Sequence, residues 1–453
     1  MVDVIIIGAG ISGLSTAHWL REKGVKIKII EAASQPGGSV KSILKNSFIF
    51  DMGPNSALET TPLVREMAEN LDIGSEMIYA SEHAKNRYIL KQGRLISLPT
   101  NPVSFLKTDL FSWPAKLRLL REPLVSAGNL GYEESIADFV RRRLGKEFLD
   151  YAIDPFVSGV TAGDPEKLSV KSAFPKLYDL EEKYGSILMG AVKGAKERKK
   201  RVEASKQSAQ LFNFKGGLQQ LTDALASQLN QVSQYQSPVI EIDQQQKNYQ
   251  VKIADGETLT GRAVLSTIPA FQLSDLIKFE GKPEKKHFAA INYPSVLVLY
   301  LGYHLKDIGR SLDGFGFLIP SHERKKFLGA IWSSTIFPNR APKDYASFTL
   351  FVGGARKDLK RESIGQNMIQ EIVDEFQQIM DIDGQPVLQE SKFWSKAIPQ
   401  YNLDHHLHEN VFADIEKYNQ GFFISGNYRG GISFGDCIKN SKINADRILT
   451  FLG

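Results

Sequence analysis

Residues Val4 to Ile7 form an unbroken run of β-branched and aliphatic side chains. The run is too short and too evenly apolar for an amphipathic helix, so it reads as a strand. It ends in Gly8-Ala9-Gly10-Ile11-Ser12-Gly13, after which Leu14, Ala17 and Leu20 recur at helical spacing and residues 26–30 start a second strand. The pattern predicts one βαβ unit. Helical periodicity dominates from about 99 to 200, with Lys107, Lys116, Arg118 and Arg121 interleaved among Phe105, Leu106, Phe111, Trp113, Leu117, Leu119 and Leu120. After Phe214-Lys215-Gly216-Gly217-Leu218, a helix carrying Leu221, Leu225 and Leu229 leads to strands at 239–242, 249–253 and 263–267, with a turn at Asp255-Gly256. A second block of strands is expected at 295–302, 314–319, 329–333 and 347–352, followed by an amphipathic helix at 363–380. The opening theme then returns: a strand at 422–425, the glycine-rich stretch 426–431, and a helix from about Asp436 whose N-terminus could face a cofactor.

Composition narrows this picture only a little. The chain has 453 residues, 42% of them hydrophobic, enough for a large core and, at about 150 residues per domain, for about three units. Lys and Arg outnumber Asp and Glu by 56 to 51, which does not imply nucleic acid. Cys437 is alone and no Cys or His pair has structural-zinc spacing, so a reducing compartment is expected, the cytoplasm by default. Met1-Val2-Asp3 runs directly into the first strand with no basic leader or cleavage site, so no export signal is expected. The longest apolar stretch, about 293–303, contains Pro294 and is too short to span a bilayer. It reads as a buried strand, and membrane contact is expected to be peripheral. The basic run 196–201 reads as a solvated loop or helix end in preference to a lipid contact.

The glycines carry the first chemistry. Gly8 permits a tight turn, Gly10 a close approach of backbone to a pyrophosphate, and Gly13 close packing of helix on strand, while the helix N-terminus presents N–H groups to the anion. Glu31 closes the second strand, where a carboxylate accepts hydrogen bonds from a ribose diol. Gln35-Pro36-Gly37-Gly38-Ser39 then adds a second glycine pair, which a simple dehydrogenase does not need. This segment resembles the second glycine loop of the flavin monoamine oxidase superfamily, in which an extended FAD runs from its adenine at Glu31 past these glycines toward the flavin. FAD is the expected cofactor.

Further segments point to one family: Gly53-Pro54-Asn55-Ser56, Asn86-Arg87-Tyr88-Ile89, Asp154-Pro155-Phe156-Val157-Ser158-Gly159, Gly163-Asp164-Pro165, Phe174-Pro175, Phe351-Val352-Gly353-Gly354 and Gly426-Asn427-Tyr428-Arg429-Gly430-Gly431. In this order, over essentially the whole chain, they resemble the oxygen-dependent protoporphyrinogen oxidases, most closely the plant mitochondrial form. The resemblance implies an α/β fold (α+β overall) in three parts. These are a Rossmann-like FAD-binding domain of the flavin amine oxidase type at 1–84, 205–275 and 405–453, a mixed-sheet substrate domain at 85–95 and 276–404, and a helical, membrane-associating domain at 96–204. It implies a six-electron oxidation of protoporphyrinogen IX to protoporphyrin IX in three FAD-mediated steps, with O2 reduced to H2O2, in heme biosynthesis and without a metal. The implied partners are the porphyrinogen, O2, the inner face of a membrane and, transiently, the next heme-pathway enzyme. Monomer or homodimer stays open.

Carried over residue by residue, the resemblance assigns the cofactor to Gly8, Gly10, Ser12, Gly13, Glu31, Gly37, Gly38, Val239, Gly426, Gly431 and Ile432. Arg87 matches the propionate-binding arginine, a role suited to its planar fork of donors. Leu318, Ile331 and Phe351 match the apolar wall around the macrocycle, although periodicity alone makes each a core residue. Ile331 departs from the leucine common in the plant enzyme. Asn55 and the Gly159 backbone match positions beside the reacting carbon and the pyrrole N–H groups. No catalytic acid or base is expected, because placement against oxidised flavin suffices for an electron-rich macrocycle. His405, His406 and His408 lack a recognisable set of metal-ligand partners and read as a solvated loop or helix start, and Cys437 as a small buried residue.

Three alternatives stay open at this point. Bacterial homologues with the same fold oxidise coproporphyrinogen III to coproporphyrin III. Amine oxidases and carotenoid desaturases share the FAD framework, but the amine oxidases' aromatic cage is not apparent in Asn427-Tyr428-Arg429-Gly430-Gly431. A non-catalytic binding protein on this fold, like the GDP dissociation inhibitors, would be colourless.

Overall fold

Strand Val2–Ile7 bonds in parallel to Ile27–Ile30 on one side and to Thr258–Ser266 on the other, so the first and third elements of one sheet are separated by most of the chain. In the computed structural model, which describes residues 1–126, 128, 134–194, 209–279 and 285–453, this sheet has seven strands. Ser233–Gln234 extends one edge, Asn248–Ile253 and Val239–Gln245 the other, and Phe422–Ile424 pairs in parallel beside Thr258–Ser266. Helix α1 (Ile11–Arg21) packs on it through Leu14, Ala17 and Leu20. The strand Val2–Ile7 is fully apolar from Val4 because both of its faces are covered: Val4 and Ile6 enter one core, Ile5 and Ile7 another.

Helices occupy most of the stretch from Pro102 to Lys193, with the expected basic run 196–201 lying outside the described residues. A buried ion cluster holds them: the fully buried Arg143 bonds Glu181 by Nε at 2.8 Å and Glu122 by Nη1 at 3.2 Å. Within this region α2 (Asp154–Thr161) carries Pro155 in its first turn, where a missing N–H costs nothing, and is capped after Thr161 by Ala162 in the left-handed conformation. No helix among the described residues is long and apolar enough to cross a membrane.

The second sheet, also of seven strands, runs Leu388–Trp394, Val296–His304, Tyr345–Gly353, Gly329–Ile331, Gly314–Leu318, Asn86–Lys91, Arg94–Ser97. All its pairings are antiparallel except that of Asn86–Lys91 with Gly314–Leu318. Helix α3 (Gln366–Met380) covers one face, where Leu297, Leu299, Phe317, Ala330 and Leu350 pack against Ile372 and Phe376. Side chains alternate across a strand, so the neighbouring positions Val298, Leu318, Ile331, Thr349 and Phe351 point to the other face. The expected strand 329–333 stops at Ile331, because Ser333–Ile336 turns into a short helix.

From there the chain returns to the first sheet through α4 (His405–Tyr418) and α5 (Phe434–Leu452). Helix α5 lies alongside α1, with Trp19 Nε1 donating to Ser441 Oγ at 3.2 Å. It starts at Phe434, two residues before the expected point, because Ser433 and Asp436 form a capping box there.

Candidate functional site

The glycines of the first βαβ unit converge on the second glycine loop. Gly8 has φ +103°, and a Cβ on Gly13 would stand 2.0 Å from the Gly8 carbonyl oxygen, which only glycine tolerates. Gly10 forms a parallel bridge to Gly37, and its own Cβ position meets nothing within 4 Å, leaving backbone open to a ligand. Gly10 is also the N-cap of α1 and supplies no side chain to the first-turn N–H groups. Ser12 lies in that turn. Glu31 reaches back into the loop, accepting from Ala9 N at 2.7 Å and from Ala33 N at 2.8 Å. A carboxylate has about four acceptor positions, so Glu31 keeps capacity for a diol. Open backbone, an uncapped helix start and a fixed carboxylate are what an adenine dinucleotide such as FAD requires. These residues fit it.

The C-terminal glycine turn contributes differently. Gly426 and Gly431 adopt φ of +141° and +128°, but the Gly431 N–H is already donated to Tyr401 Oη at 2.9 Å. The N-terminus of α5, expected to face a cofactor, is satisfied by its own capping box, so of the two helix starts only that of α1 lacks a side-chain cap. Ile432 directly precedes that cap. Val239 opens an edge strand of the same sheet; two residues earlier, Ser237 N donates to the Glu31 carbonyl at 2.9 Å.

The face of the second sheet opposite α3 brings the expected substrate residues together. Leu318 pairs with Gly329 and Gly329 with Phe351, while Gly316 pairs with Ile331 and Ile331 with Thr349, so Leu318, Ile331 and Phe351 share one face. Arg87 sits in register with Gly316 across the parallel pair. A bulge between Gly314 and Gly316 sets Phe315 beside it, and the exposed Arg87 guanidinium lies 5.3 Å from that ring's centroid. The bulge needs glycine: Gly316 has φ +137°, and its Cβ would lie 2.1 Å from the Ala330 carbonyl oxygen. Helix α2 covers this face, with the Cβ position of Gly159 only 2.3 Å from Leu318 Cδ2.

Asn55 reaches the same face from the first sheet's side. It lines a small cavity with Asp51, Ser56, Ile331, Ser333 and Arg340. Behind it stands an ion pair that sequence reasoning missed. Asp51 and Arg340 are 3% and 2% exposed and 3.7 Å apart. Asp51 accepts from Ser42 Oγ, Leu218 N and Asn213 Nδ2, and Asn213 Nδ2 also donates to the Asn55 carbonyl at 2.9 Å. Burial raises the Asp51 carboxyl above its ordinary range, and Arg340 and these donors pull it back. The Phe50-Asp51 end of the Gly53-Pro54-Asn55 segment was the available signal for Asp51. Arg340, in a Pro338-Asn339 turn, offered none.

One expectation needs correction. His405 opens α4, a helix start as expected, but it is buried rather than solvated and stacks on Tyr401 at 4.0 Å between centroids. Lys116 is likewise buried, with Nζ donating to the Leu106 and Thr108 carbonyls at 2.9 and 2.7 Å. Cys437 is buried as expected, and burial pushes its thiol up to about 11. Among the described residues no group of three His, Cys, Asp or Glu is placed to hold a metal.

Comparison with known proteins agrees with this geometry. The flavin containing amine oxidoreductase family matches residues 11–449. Protoporphyrinogen oxidase 2, chloroplastic/mitochondrial, of Arabidopsis thaliana is 33% identical over 99% of this chain and 94% of its own length. Coproporphyrinogen III oxidase of Bacillus subtilis (strain 168) is 26% identical over 99% and 98%. A crystal structure from Exiguobacterium sp. 255-15, provisionally assigned as a protoporphyrinogen oxidase, shares the fold with a TM-score of 0.82, at 20% identity over 98% of each chain.

Proposed function

The chain belongs to the flavin containing amine oxidoreductases, and on that premise we propose that this FAD-dependent oxidoreductase converts protoporphyrinogen IX to protoporphyrin IX at the face of its second sheet. Bound FAD supplies a two-electron acceptor that dioxygen regenerates with release of hydrogen peroxide. Three rounds remove six electrons and six protons in all and consume three molecules of O2. The chain's own task is placement. Arg87 pairs with a propionate, Leu318, Ile331 and Phe351 form the apolar wall, and α2 with Gly159 closes over the macrocycle and excludes water. Asn55, braced through Asn213 by the Asp51–Arg340 pair, borders the reacting edge. The domain division stated above follows the same lines: the first sheet holds the cofactor, the second the substrate, and the helices between them close the site.

The supporting observation is the register that sets one cation and three apolar side chains on a single sheet face. A second reading, coproporphyrinogen III oxidation, is favoured by the Bacillus subtilis relative, which matches over an equal share of this chain. Comparison of kcat/KM on the two porphyrinogens decides between them. The first reading requires the larger value for protoporphyrinogen IX; an equal or larger value for coproporphyrinogen III overturns it.

Peripheral membrane contact belongs to the same proposal. Val103, Leu106, Trp113, Leu117, Leu120 and Leu124 are exposed on the helical region, Trp113 by 62% and Leu124 by 85%, with Lys107, Arg118 and Arg121 beside them. An apolar face rimmed by cations suits the surface of an anionic bilayer.

A further inference from the structure

Gln400 and Tyr401 belong to neither the glycine corner nor the apolar wall, yet they bond the chain segments that carry both. Tyr401 Oη accepts the Gly431 N–H at 2.9 Å and donates to the Asn427 carbonyl at 3.1 Å, so it spans the two ends of the C-terminal glycine turn. The ring is 5% exposed and lies parallel over buried His405. A tyrosine is buried at low cost only when its hydroxyl finds partners, and here the turn meets both its donor and an acceptor capacity. Burial raises the phenol well above its ordinary range, so it stays protonated and keeps both bonds.

One residue earlier, the attachment is to the substrate side. Gln400 Nε2 donates at 2.9 Å to the carbonyl of Thr161, the last residue of α2, and at 2.9 Å to that of Ile398. The backbone continues the junction: Ser169 N donates to the Tyr401 carbonyl and Leu403 N to that of Lys167, each at 3.0 Å. A short strap at 400–403 is thus bonded to the helix over the macrocycle at one edge and to the cofactor-side turn at the other.

We propose that Gln400 and Tyr401 are positioning residues that couple the two sites, so that a porphyrin seated beneath Gly159 tightens the hold on FAD. The inference rests on the site reading above. Movement of α2 displaces the Thr161 carbonyl and with it Gln400; Tyr401, adjacent in a strap bonded at both edges, carries the Asn427–Gly431 turn. The linkage is reciprocal, so bound FAD tightens porphyrin by the same factor.

The test uses the full-length holo-protein. Release of FAD on serial dilution is followed by recovery of flavin fluorescence, with and without saturating protoporphyrin IX, in the wild type, Tyr401→Phe and Gln400→Met. The porphyrin is expected to lower the FAD Kd about fivefold or more in the wild type, and in either variant the ratio is expected to fall to about 1. A merely structural role weakens FAD equally in both conditions; a ratio preserved in the variants therefore overturns the coupling. So does a wild-type protein that binds the porphyrin with no change in FAD Kd. A wild-type protein that fails to bind the porphyrin at all overturns the site reading itself, and the coupling with it.

Discussion

Gly159 and Leu318 touch so closely that a single methyl group added to the glycine would stand 2.3 Å from Leu318 Cδ2. The clash is with the end of a flexible side chain, so Gly159→Ala is expected to fold, at a cost of about 1 kcal/mol, by turning Leu318 toward the proposed substrate space. Steady-state kinetics should show KM raised about tenfold, against an unchanged flavin content, and Leu318→Ala in the same chain should restore much of the loss because the two sites couple. An unchanged KM in Gly159→Ala would remove this contact from the pocket.

Arg87 is exposed, lies over Phe315, and forms no ion pair with a described carboxylate. It is therefore free to meet an anion. Arg87→Ala should raise KM by about 10- to 100-fold, the worth of a charge-assisted bidentate pair, while the visible flavin spectrum of the purified protein stays the same. Arg87→Lys keeps the charge and loses the fork, and should fall between the two.

The apolar face of the helical region gives a prediction separable from chemistry. Trp113→Asp combined with Leu117→Asp places two like charges against an anionic surface and removes two exposed apolar side chains. Co-sedimentation with phosphatidylglycerol vesicles is expected to fall about tenfold or more, with turnover of detergent-dispersed substrate unchanged. Equal sedimentation of variant and wild type would show that this face does not meet the bilayer.

His408 predicts a dependence on pH. Burial lowers its imidazole to about 4, helped by the neighbouring His405 and His287, whose Nδ1 lies 3.2 Å from His408 Nδ1. The unfolded chain takes up a proton near pH 6.5 that the folded chain refuses until about pH 4. Stability from this group is complete above the first value and falls as pH drops toward the second, by roughly 1–3 kcal/mol once its partial solvent exposure is allowed for. Urea midpoints measured between pH 7.5 and 4.5 should converge when wild type and His408→Gln are compared at the acid end. Parallel curves would contradict the shift.

The parts of this molecule legible in its sequence are those written in local pattern. The glycine corner was readable because turn, helix period and strand lie within a few residues, and each glycine answers a local steric demand. The strand Val296–His304 was readable because burial on both faces makes it continuously apolar. Long-range pairings left no such trace. Asn86–Lys91 gives no sign that it will lie parallel to Gly314–Leu318, and Asp51 none that its partner is Arg340. The burial of Lys116 left no trace either, because a helix period assigns a residue to a face but does not say where a long, flexible stem will carry its ammonium group. Tyr401 was passed over because a buried tyrosine is ordinary until its hydroxyl partners are known.

The parallel pairing that seats Arg87 against Gly316 also governs the order in which the protein can be made. Arg87 is synthesised before the whole helical region, its partner strand after it. At about 5–20 residues per second, this leaves the arginine strand without its parallel partner for on the order of ten seconds or more. The first strand, Val2–Ile7, waits in the same way for Thr258–Ser266. Neither half of the nascent chain can complete a sheet alone. Translation that stops before Gly314 therefore yields a chain with open, apolar strand edges, a substrate for chaperones and proteases rather than a smaller working enzyme.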